Sequence, residues 1–185
     1  MLGDGFSDVL SAAQAAQEWA LERLYREYRP PVLKYFYAQQ PRDADDLTSE
    51  VFLSVASSLD HFSGDEAGFR SWVFTIAHRR LSDHRRRWAQ AQTDLLAPEQ
   101  MDRLAPCGDG ELDAMSRLGT RTALSRIAAL PPAQAEVVLL RIVADLPAEQ
   151  VGRIVGRRAD AVRALQHRAL QRLARDLQRE AVAAS

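Results

Sequence analysis

The chain has 185 residues, 46% of them hydrophobic, and a net charge of −1, which suits one large or two small globular domains with a real core. Cys107 is the only cysteine, so neither an intrachain disulfide nor a thiolate metal cluster can form from this chain alone. The N-terminal stretch carries acidic residues and lacks a basic start and a long apolar run, so we expect no signal peptide, no membrane span and a cytoplasmic protein.

Positive charge is concentrated in two parts of the chain. Residues 70–92 carry six basic and one acidic side chain, and residues 153–185 carry eight and three. Residues 1–69 carry five and twelve, and residues 93–116 carry one and six. Two basic patches that alternate with acidic ones predict binding of a polyanion at two places and of a basic partner at others.

The first helical pattern runs from about Ser7 to Tyr28, with apolar residues near one face. Pro30 and Pro31 are expected to end this helix, and a second short helix is predicted over residues 32–39. The alternation that is typical of strands is absent from the whole sequence. The chain is therefore predicted to be all-α.

An acid-rich helix is predicted next. Asp43 is expected to cap it, and Asp45, Asp46 and Glu50 lie in its first two turns, where negative charge opposes the positive end of the helix dipole. The apolar residues of this helix form one line, with Phe52 beside it: Leu47, Val51, Val55 and Leu59. The carboxylates either stabilise a core helix or form a docking surface for a basic partner, and the pattern alone leaves both interpretations open.

A loop over residues 61–68 leads into a helix that is rich in arginine and aromatic residues. Its arginines wrap around more than one face: Arg79, Arg80, Arg85, Arg86 and Arg87. The aromatic residues that alternate with this charge are Phe62, Phe69, Trp72, Phe74 and Trp88. Rings that stack on unpaired bases beside arginines that hold phosphates are typical of single-strand binding. The alternative is that the rings belong to a core.

Residues 93–114 contain prolines, glycines and scattered acids without a sustained period, which predicts a flexible acidic linker. It divides the chain into two small helical domains at 1–92 and 115–185. The second domain is predicted to be a bundle of about four helices.

The last two predicted helices form a helix-turn-helix. Pro147 suits the start of the first helix, Gly156 allows a sharp turn, and Asp160 is expected to cap the second helix. That second helix repeats apolar residues on one face: Val162, Leu165, Ala169, Leu173 and Leu177. Its opposite face is basic and polar: Arg163, Ala164, His167, Arg168, Gln171 and Arg175. This arrangement favours binding in the DNA major groove over a merely solvated helix.

Four stretches together resemble the extracytoplasmic-function sigma factors of bacterial RNA polymerase. They are LYREYRPPVLKYF (24–36), DADDLTSEVFLSV (43–55), FRSWVFTIAHRRLSDHRRR (69–87) and IAALPPAQAEVVLLRIVADLPAEQVGRIVG (127–156). Gly152 stands where alanine is usual in the family, at a cost of up to about 1 kcal/mol of helix propensity.

The resemblance implies three sets of site residues. The set implied to bind core polymerase is Asp45, Asp46, Leu47, Glu50 and Phe52. The set implied to read the minus-ten element as a melted single strand is Phe62, Ser63, Trp72, His78, Arg79, Arg80 and Arg85. The set implied to read the minus-thirty-five element as duplex is Arg157, Arg158, Arg163, Ala164, His167 and Arg168.

The resemblance implies core RNA polymerase and promoter DNA as partners. An anti-sigma protein is a further implied partner, since such proteins hold relatives inactive, commonly at the membrane. A stand-alone helix-turn-helix regulator is the alternative, and it predicts tight duplex binding without polymerase. We expect no enzyme, small-molecule substrate, cofactor or metal, because the four histidines lack helical metal spacing and no phosphate loop or nucleophile motif occurs.

Overall fold

The computed structural model describes residues 2–39, 43–94 and 114–183, and these residues form helices and turns without a strand. The all-α prediction is therefore confirmed for this part of the chain. None of its helices is both long and apolar enough to span a bilayer. The α-helices of these residues are α1 (Phe6–Gln14), α2 (Glu18–Ala38), α3 (Ala44–Ser58), α4 (Glu66–Asp94), α5 (Ala114–Ala128), α6 (Pro132–Val138), α7 (Ala148–Val155) and α8 (Ala159–Ala183). Short 3-10 turns lie at Gly3–Gly5 and Leu59–His61, and a π-helical turn at Leu139–Val143 continues α6.

The helices form two domains, each with its own buried residues. In α1–α4 the largest fully buried side chains include Tyr35, Phe36, Phe69 and Phe74. In α5–α8 they include Leu139, Leu140 and Leu146. Most of the predicted linker, and Cys107 within it, lies outside the described residues.

The prediction of one helix from Ser7 to Tyr28 is wrong, because the chain breaks between α1 and α2. Ala16 adopts a left-handed conformation with φ of 55°, and the Gln17 N–H donates to the carbonyl of Ala12 at 3.0 Å. This is the hydrogen bond that ends many helices, usually with glycine in the left-handed position. The turn lets α1 pack across α4, where the rings of Phe6 and Phe69 lie 5.5 Å apart. No glycine or proline marked this break in the sequence.

The prediction that Pro30 and Pro31 end a helix is also wrong, since both lie inside α2. Each proline in a helix interior costs about 3 kcal/mol. The residues that follow are nearly all core, with Val32, Tyr35 and Phe36 at 0% exposure. Burial of each such side chain stabilises the fold by roughly 1.5–3 kcal/mol. Continuing the helix therefore outweighs the loss, and the short helix predicted over residues 32–39 is the second half of α2.

The start of α3 differs from the prediction in one detail. Asp43 occupies the position before the helix, but its side chain makes no capping hydrogen bond, and its carboxylate lies 4.0 Å from Nε2 of His84. The next helix does have a side-chain cap, because Oδ1 of Asp65 accepts the Gly68 N–H at 2.7 Å. This cap fixes where α4 leaves the loop that precedes it.

The turn between α7 and α8 is built around two glycines. Gly156 ends α7 in the left-handed conformation with φ of 66°, and the Arg157 N–H donates to the carbonyl of Gly152 at 2.8 Å. A Cβ atom on Gly152 would lie 2.5 Å from the carbonyl oxygen of Arg157, so the turn requires glycine there. Helix α8 begins at Ala159, one residue before the predicted cap Asp160, whose side chain binds Arg163 instead.

Candidate nucleic-acid interfaces and acidic surface

Helices α7 and α8 form the predicted helix-turn-helix, with a seam of small apolar residues between the bundle and α8. Val151, Val162 and Ala169 are each 0% exposed. Ala164, His167 and Arg168 lie on the opposite, exposed side of α8. Leu177, predicted on the apolar face, is 48% exposed, because α8 extends beyond the helices that cover its first half. The first half of α8 therefore presents a polar face over a buried seam.

The arginines near this face have different surroundings. Arg157 and Arg158 lie exposed in the turn, and Arg168 lies exposed on α8. Arg163 instead lies between two carboxylates, those of Glu149 in α7 and Asp160 in α8. The backbone N–H of Glu149 and the guanidinium of Arg163 lower the pKa of the Glu149 carboxyl. Arg163 thus ties α7 to α8, and the other three arginines are better placed to meet phosphates.

An aromatic pair lies where the loop after α3 meets α4. The rings of Phe62 and Trp72 are stacked with centroids 5.1 Å apart and planes 29° apart, and both are partly exposed. Ser63 follows in the exposed loop, and Gly64, with φ of 151°, has open space except for the Phe62 ring. The pair offers an aromatic surface at the edge of the first domain.

Two of the five aromatic residues proposed for base stacking belong to the core. Phe69 is 1% exposed and Phe74 is 0% exposed, so neither can reach a base. Phe69 packs against both rings of the pair, and its ring centroid lies 5.2 Å from that of Phe62 and 5.6 Å from that of Trp72. Trp88 is 46% exposed but lies more than four helical turns further along α4.

The remaining residues of the predicted minus-ten set do not form one surface. Nδ1 of His78 lies 2.8 Å from Oε1 of Glu136 in the second domain. Arg80 turns toward α3, where it donates to Oγ of Ser54 at 2.7 Å, and Arg85 donates to Gln39 at the end of α2 at 2.5 Å. Arg79 is exposed. The structure therefore brings Phe62 and Trp72 together with Ser63 and leaves the basic members on several sides of α4.

The acidic residues of α3 lie on its outer side. Asp45 and Asp46 are exposed in the first turn, and Glu50 is partly exposed. Asp45 accepts hydrogen bonds from Arg29 at 3.1 Å and from the Tyr37 hydroxyl at 3.0 Å. Asp46 continues the negative surface along the helix, and Oε2 of Glu50 lies 3.6 Å from the guanidinium of Arg80.

The apolar members of the predicted polymerase-binding set differ from each other. Leu47 is 2% exposed, so its side chain belongs to the core and not to the surface. Phe52 is partly exposed and packs edge-on against Tyr25 at 4.8 Å. The prediction for Leu47 is corrected accordingly, since its place on the line with Val51 and Val55 points it inward.

Sequence reasoning missed two residues beside Phe52. Tyr25 is 40% exposed and Leu53 is 71% exposed, and Leu53 lines a shallow depression with Glu50, Ser54 and Arg80. Leu53 lies off the buried apolar line of α3. An apolar residue on the outward face of a helix is the sequence signal that could have revealed it. Together with the carboxylates, these residues form a surface that is apolar in part and negative in part.

Comparison with known proteins assigns both halves of the chain. The protein-family model for Sigma-70 region 2 matches residues 24–90, and the family model for Sigma-70 region 4 matches residues 126–175. ECF RNA polymerase sigma factor ShbA of Streptomyces griseus is 30% identical over 83% of this chain and 85% of its own length. Sigma factor BldN of Streptomyces coelicolor is 30% identical over 91% of this chain but only 64% of its own length.

Among solved structures, sigma factor RpoE in complex with the anti-sigma factor NepR, from Bartonella quintana, shares the fold. Its TM-score is 0.65 at 19% identity, over 85% of this chain and 96% of that chain. A region 2 followed by a helix-turn-helix region 4 defines a sigma-70-type transcription initiation factor. Within that class, the chain belongs to the extracytoplasmic-function (ECF) RNA polymerase sigma factors.

Proposed function

We propose that this chain binds core RNA polymerase and directs it to promoters by reading two DNA elements in different forms. The observation that carries the proposal is that one sigma-family chain has two different candidate surfaces for binding nucleic acid. One is the partly exposed Phe62–Trp72 stack, and the other is the polar face of α8. Stacked rings suit unpaired bases, and a helix-turn-helix suits the duplex major groove.

At the minus-ten element, a flipped base would stack beside Phe62 and Trp72. Opening the duplex costs a few kcal/mol per base, which stacking and pocket contacts offset. Arg79 and the more distant Arg85 would meet the backbone, and Ser63 would contact a base edge. No bond is made or broken by the chain in this scheme, so its role is not that of an enzyme.

At the minus-thirty-five element, α8 would enter the major groove with Ala164, His167 and Arg168 toward the bases. Arg157 and Arg158 would contact phosphates beside the groove. Arg163 would reach DNA only by leaving Glu149 and Asp160, with which it pairs in this structure. We therefore assign Arg163 a smaller share of the DNA contact than Arg168.

The outer side of α3 would bind a basic and apolar surface of core polymerase. Asp45, Asp46 and Glu50 supply the charge, and Phe52 with its exposed neighbour Leu53 supplies the apolar contact. Charge complementarity of this kind mainly sets the rate and specificity of association. We expect Asp46→Asn to weaken co-elution with core polymerase, whereas Asp8→Asn, an exposed acid of α1, leaves it unchanged.

An anti-sigma protein completes the proposed partners, since RpoE, which shares the fold, was solved with one. Because core polymerase and promoter DNA share the bacterial cytoplasm, the proposed activity takes place there. A membrane-bound anti-sigma protein would hold the chain at the membrane instead.

The experiment that tests the proposal selects bound fragments from a genomic library with this chain alone, with core polymerase alone, and with both. We expect a defined set of fragments only with both, because the sigma-factor proposal predicts little specific DNA binding until core polymerase is present. Defined fragments with the chain alone would support the stand-alone regulator instead. The selected fragments also supply promoter templates for the measurements that follow.

A further inference from the structure

Helix α1 lies outside the part of the chain that the region 2 model matches, which begins at residue 24. It is still part of the core, since Phe6 is 4% exposed and Ala13 is 3% exposed. The ring of Phe6 packs on that of Phe69, which in turn supports Phe62 and Trp72. Helix α1 therefore contacts Phe69, the buried ring on which the aromatic pair packs.

Gln14, the last residue of α1, holds the loop that carries Phe62. Its side-chain Nε2 donates to the carbonyl oxygen of Leu59 at 3.0 Å and to that of Phe62 at 2.8 Å. The backbone N–H of Phe62 donates to the same Leu59 carbonyl at 3.0 Å. Both hydrogens of the Gln14 amide are thus used on the two carbonyls, and the backbone of Phe62 is held on both its N–H and its C=O side.

The other end of the loop is held by the residues that precede α1. The backbone N–H groups of Leu2 and Gly3 donate to the carboxylate of Glu66, the first residue of α4, at 2.8 and 2.9 Å. Partial burial opposes ionisation of Glu66, but these two donors and Arg70 lower the pKa of its carboxyl. Residues 2–14 therefore hold both the beginning and the end of the loop between Leu59 and Glu66.

We propose that Gln14 is a positioning residue for promoter opening, because it fixes the loop that places Phe62 against Trp72. The inference rests on the proposed function of that pair, which is to stack on a flipped minus-ten base. A loop that is already hydrogen-bonded loses less conformational freedom when a base binds. Gln14 contacts no base in this role and acts only through the two carbonyls.

Two substitutions of similar shape test this role. Gln14→Met removes the donor to both carbonyls and leaves that of Leu59 with only the Phe62 N–H, and Gln14→Glu places negative charge against both oxygens. Gln17, an exposed glutamine in the break after α1 whose side chain makes no capping bond, provides the matched controls Gln17→Met and Gln17→Glu. Opening is measured by permanganate reactivity of minus-ten thymines with core polymerase, on the selected promoters and on templates with single minus-ten substitutions.

We expect Gln14→Met to reduce opening by about tenfold, since two ordinary hydrogen bonds are lost, and Gln14→Glu to reduce it further. The Gln14 variants should co-elute with core polymerase as well as the controls do. They should also still select fragments that carry the minus-thirty-five element. The order in which the templates with single minus-ten substitutions are opened should also change, because a displaced Phe62 meets a different base surface.

Three outcomes would overturn the proposal. Opening by Gln14→Met equal to that by Gln17→Met would remove the role of Gln14 alone and leave the proposed function standing. An equal loss on every template, together with loss of core binding, would show that the variants are merely less stable. Absence of opening by the wild-type chain would overturn the proposed function, and this inference with it.

Discussion

Nδ1 of His78 in α4 lies 2.8 Å from Oε1 of Glu136 in α6, and this contact joins the two domains. The hydroxyl of Tyr35 donates to the same oxygen at 3.4 Å. A second contact between the domains runs from Arg70 to Asp145 at 3.1 Å. The Glu136 carboxylate is therefore a shared acceptor for two side chains of the first domain, and it covers a residue proposed to read the minus-ten element.

Substitution of Glu136 tests the strength of this domain contact. The side chains of His78 and Glu136 are 22% and 17% exposed, so their hydrogen bond is shielded from water. We expect Glu136→Ala to lower the free energy of unfolding by about 1–3 kcal/mol in urea denaturation. Glu22→Ala, which removes an exposed pair with Arg26, should change it by less than about 0.5 kcal/mol. Equal effects of the two substitutions would show that the Glu136 hydrogen bonds contribute little to stability.

The same substitution has a spectroscopic signature. Burial, and secondly Glu136, raise the pKa of the Tyr35 phenol well above the ordinary value of 10.0. In Glu136→Ala the pKa of Tyr35 should fall but stay elevated, because the ring remains buried. Ultraviolet titration of tyrosine, with Tyr35→Phe as the reference, measures this shift.

Gly152 is expected to be required for the turn despite its poor helix propensity. Alanine there would place Cβ at 2.5 Å from the Arg157 carbonyl oxygen, which forces the backbone to move. Gly152→Ala should destabilise the chain by about 1–3 kcal/mol. A Cβ atom on Gly119 in α5 would meet no other atom within 4 Å, so Gly119→Ala should stabilise by up to about 1 kcal/mol. Thermal denaturation that shows a gain for both would contradict the geometry of the turn.

The sequence predicts the fold correctly where local signals determine it and fails where distant contacts do. The helix-turn-helix followed from local signals, namely the apolar period of α8 and Gly156 at the turn. The break at Ala16 and the passage of α2 through Pro30 depended on long-range burial, which overrode local propensity. For the same reason, the family resemblance could place His78 in the minus-ten set, but the sequence could not show that Glu136 of the second domain contacts it.

Glu66 should make stability depend on pH in the acid range. Its pKa is lowered below the ordinary value of 4.5, so the native state binds fewer protons than the unfolded state near that pH. Its contribution is then complete above about pH 4.5 and disappears as the pH falls through the lower, native pKa. At pH 7 we expect Glu66→Gln to be less stable by about 1–2 kcal/mol.

Urea denaturation of wild type and Glu66→Gln at several pH values between 7 and 3 measures this dependence. The difference in unfolding free energy between the two proteins should shrink as the pH falls. A difference that stays constant down to pH 3 would mean that the Leu2 and Gly3 donors do not favour the ionised carboxylate.

Trp72 and Trp88 allow a matched test of the aromatic pair, since both tryptophans lie on α4. Stacking of one base on an aromatic side chain is worth about 1–3 kcal/mol, so Trp72→Ala should reduce minus-ten opening by about fivefold to a hundredfold. Trp88→Ala should reduce it much less. Trp72→Phe, which keeps a stacking surface against Phe62, should fall between them. Permanganate reactivity gives the opening, and retained selection of minus-thirty-five duplex shows that the variants are folded.

Run-off transcription tests most directly the claim that this chain confers promoter recognition on RNA polymerase. Purified core polymerase of Streptomyces coelicolor, the source of one relative, is supplied with the selected fragments, with and without this chain. Discrete transcripts that start a fixed distance downstream of the two elements, and only when the chain is present, are the expected result. Absence of such transcripts, together with no co-elution of chain and core, would contradict the account.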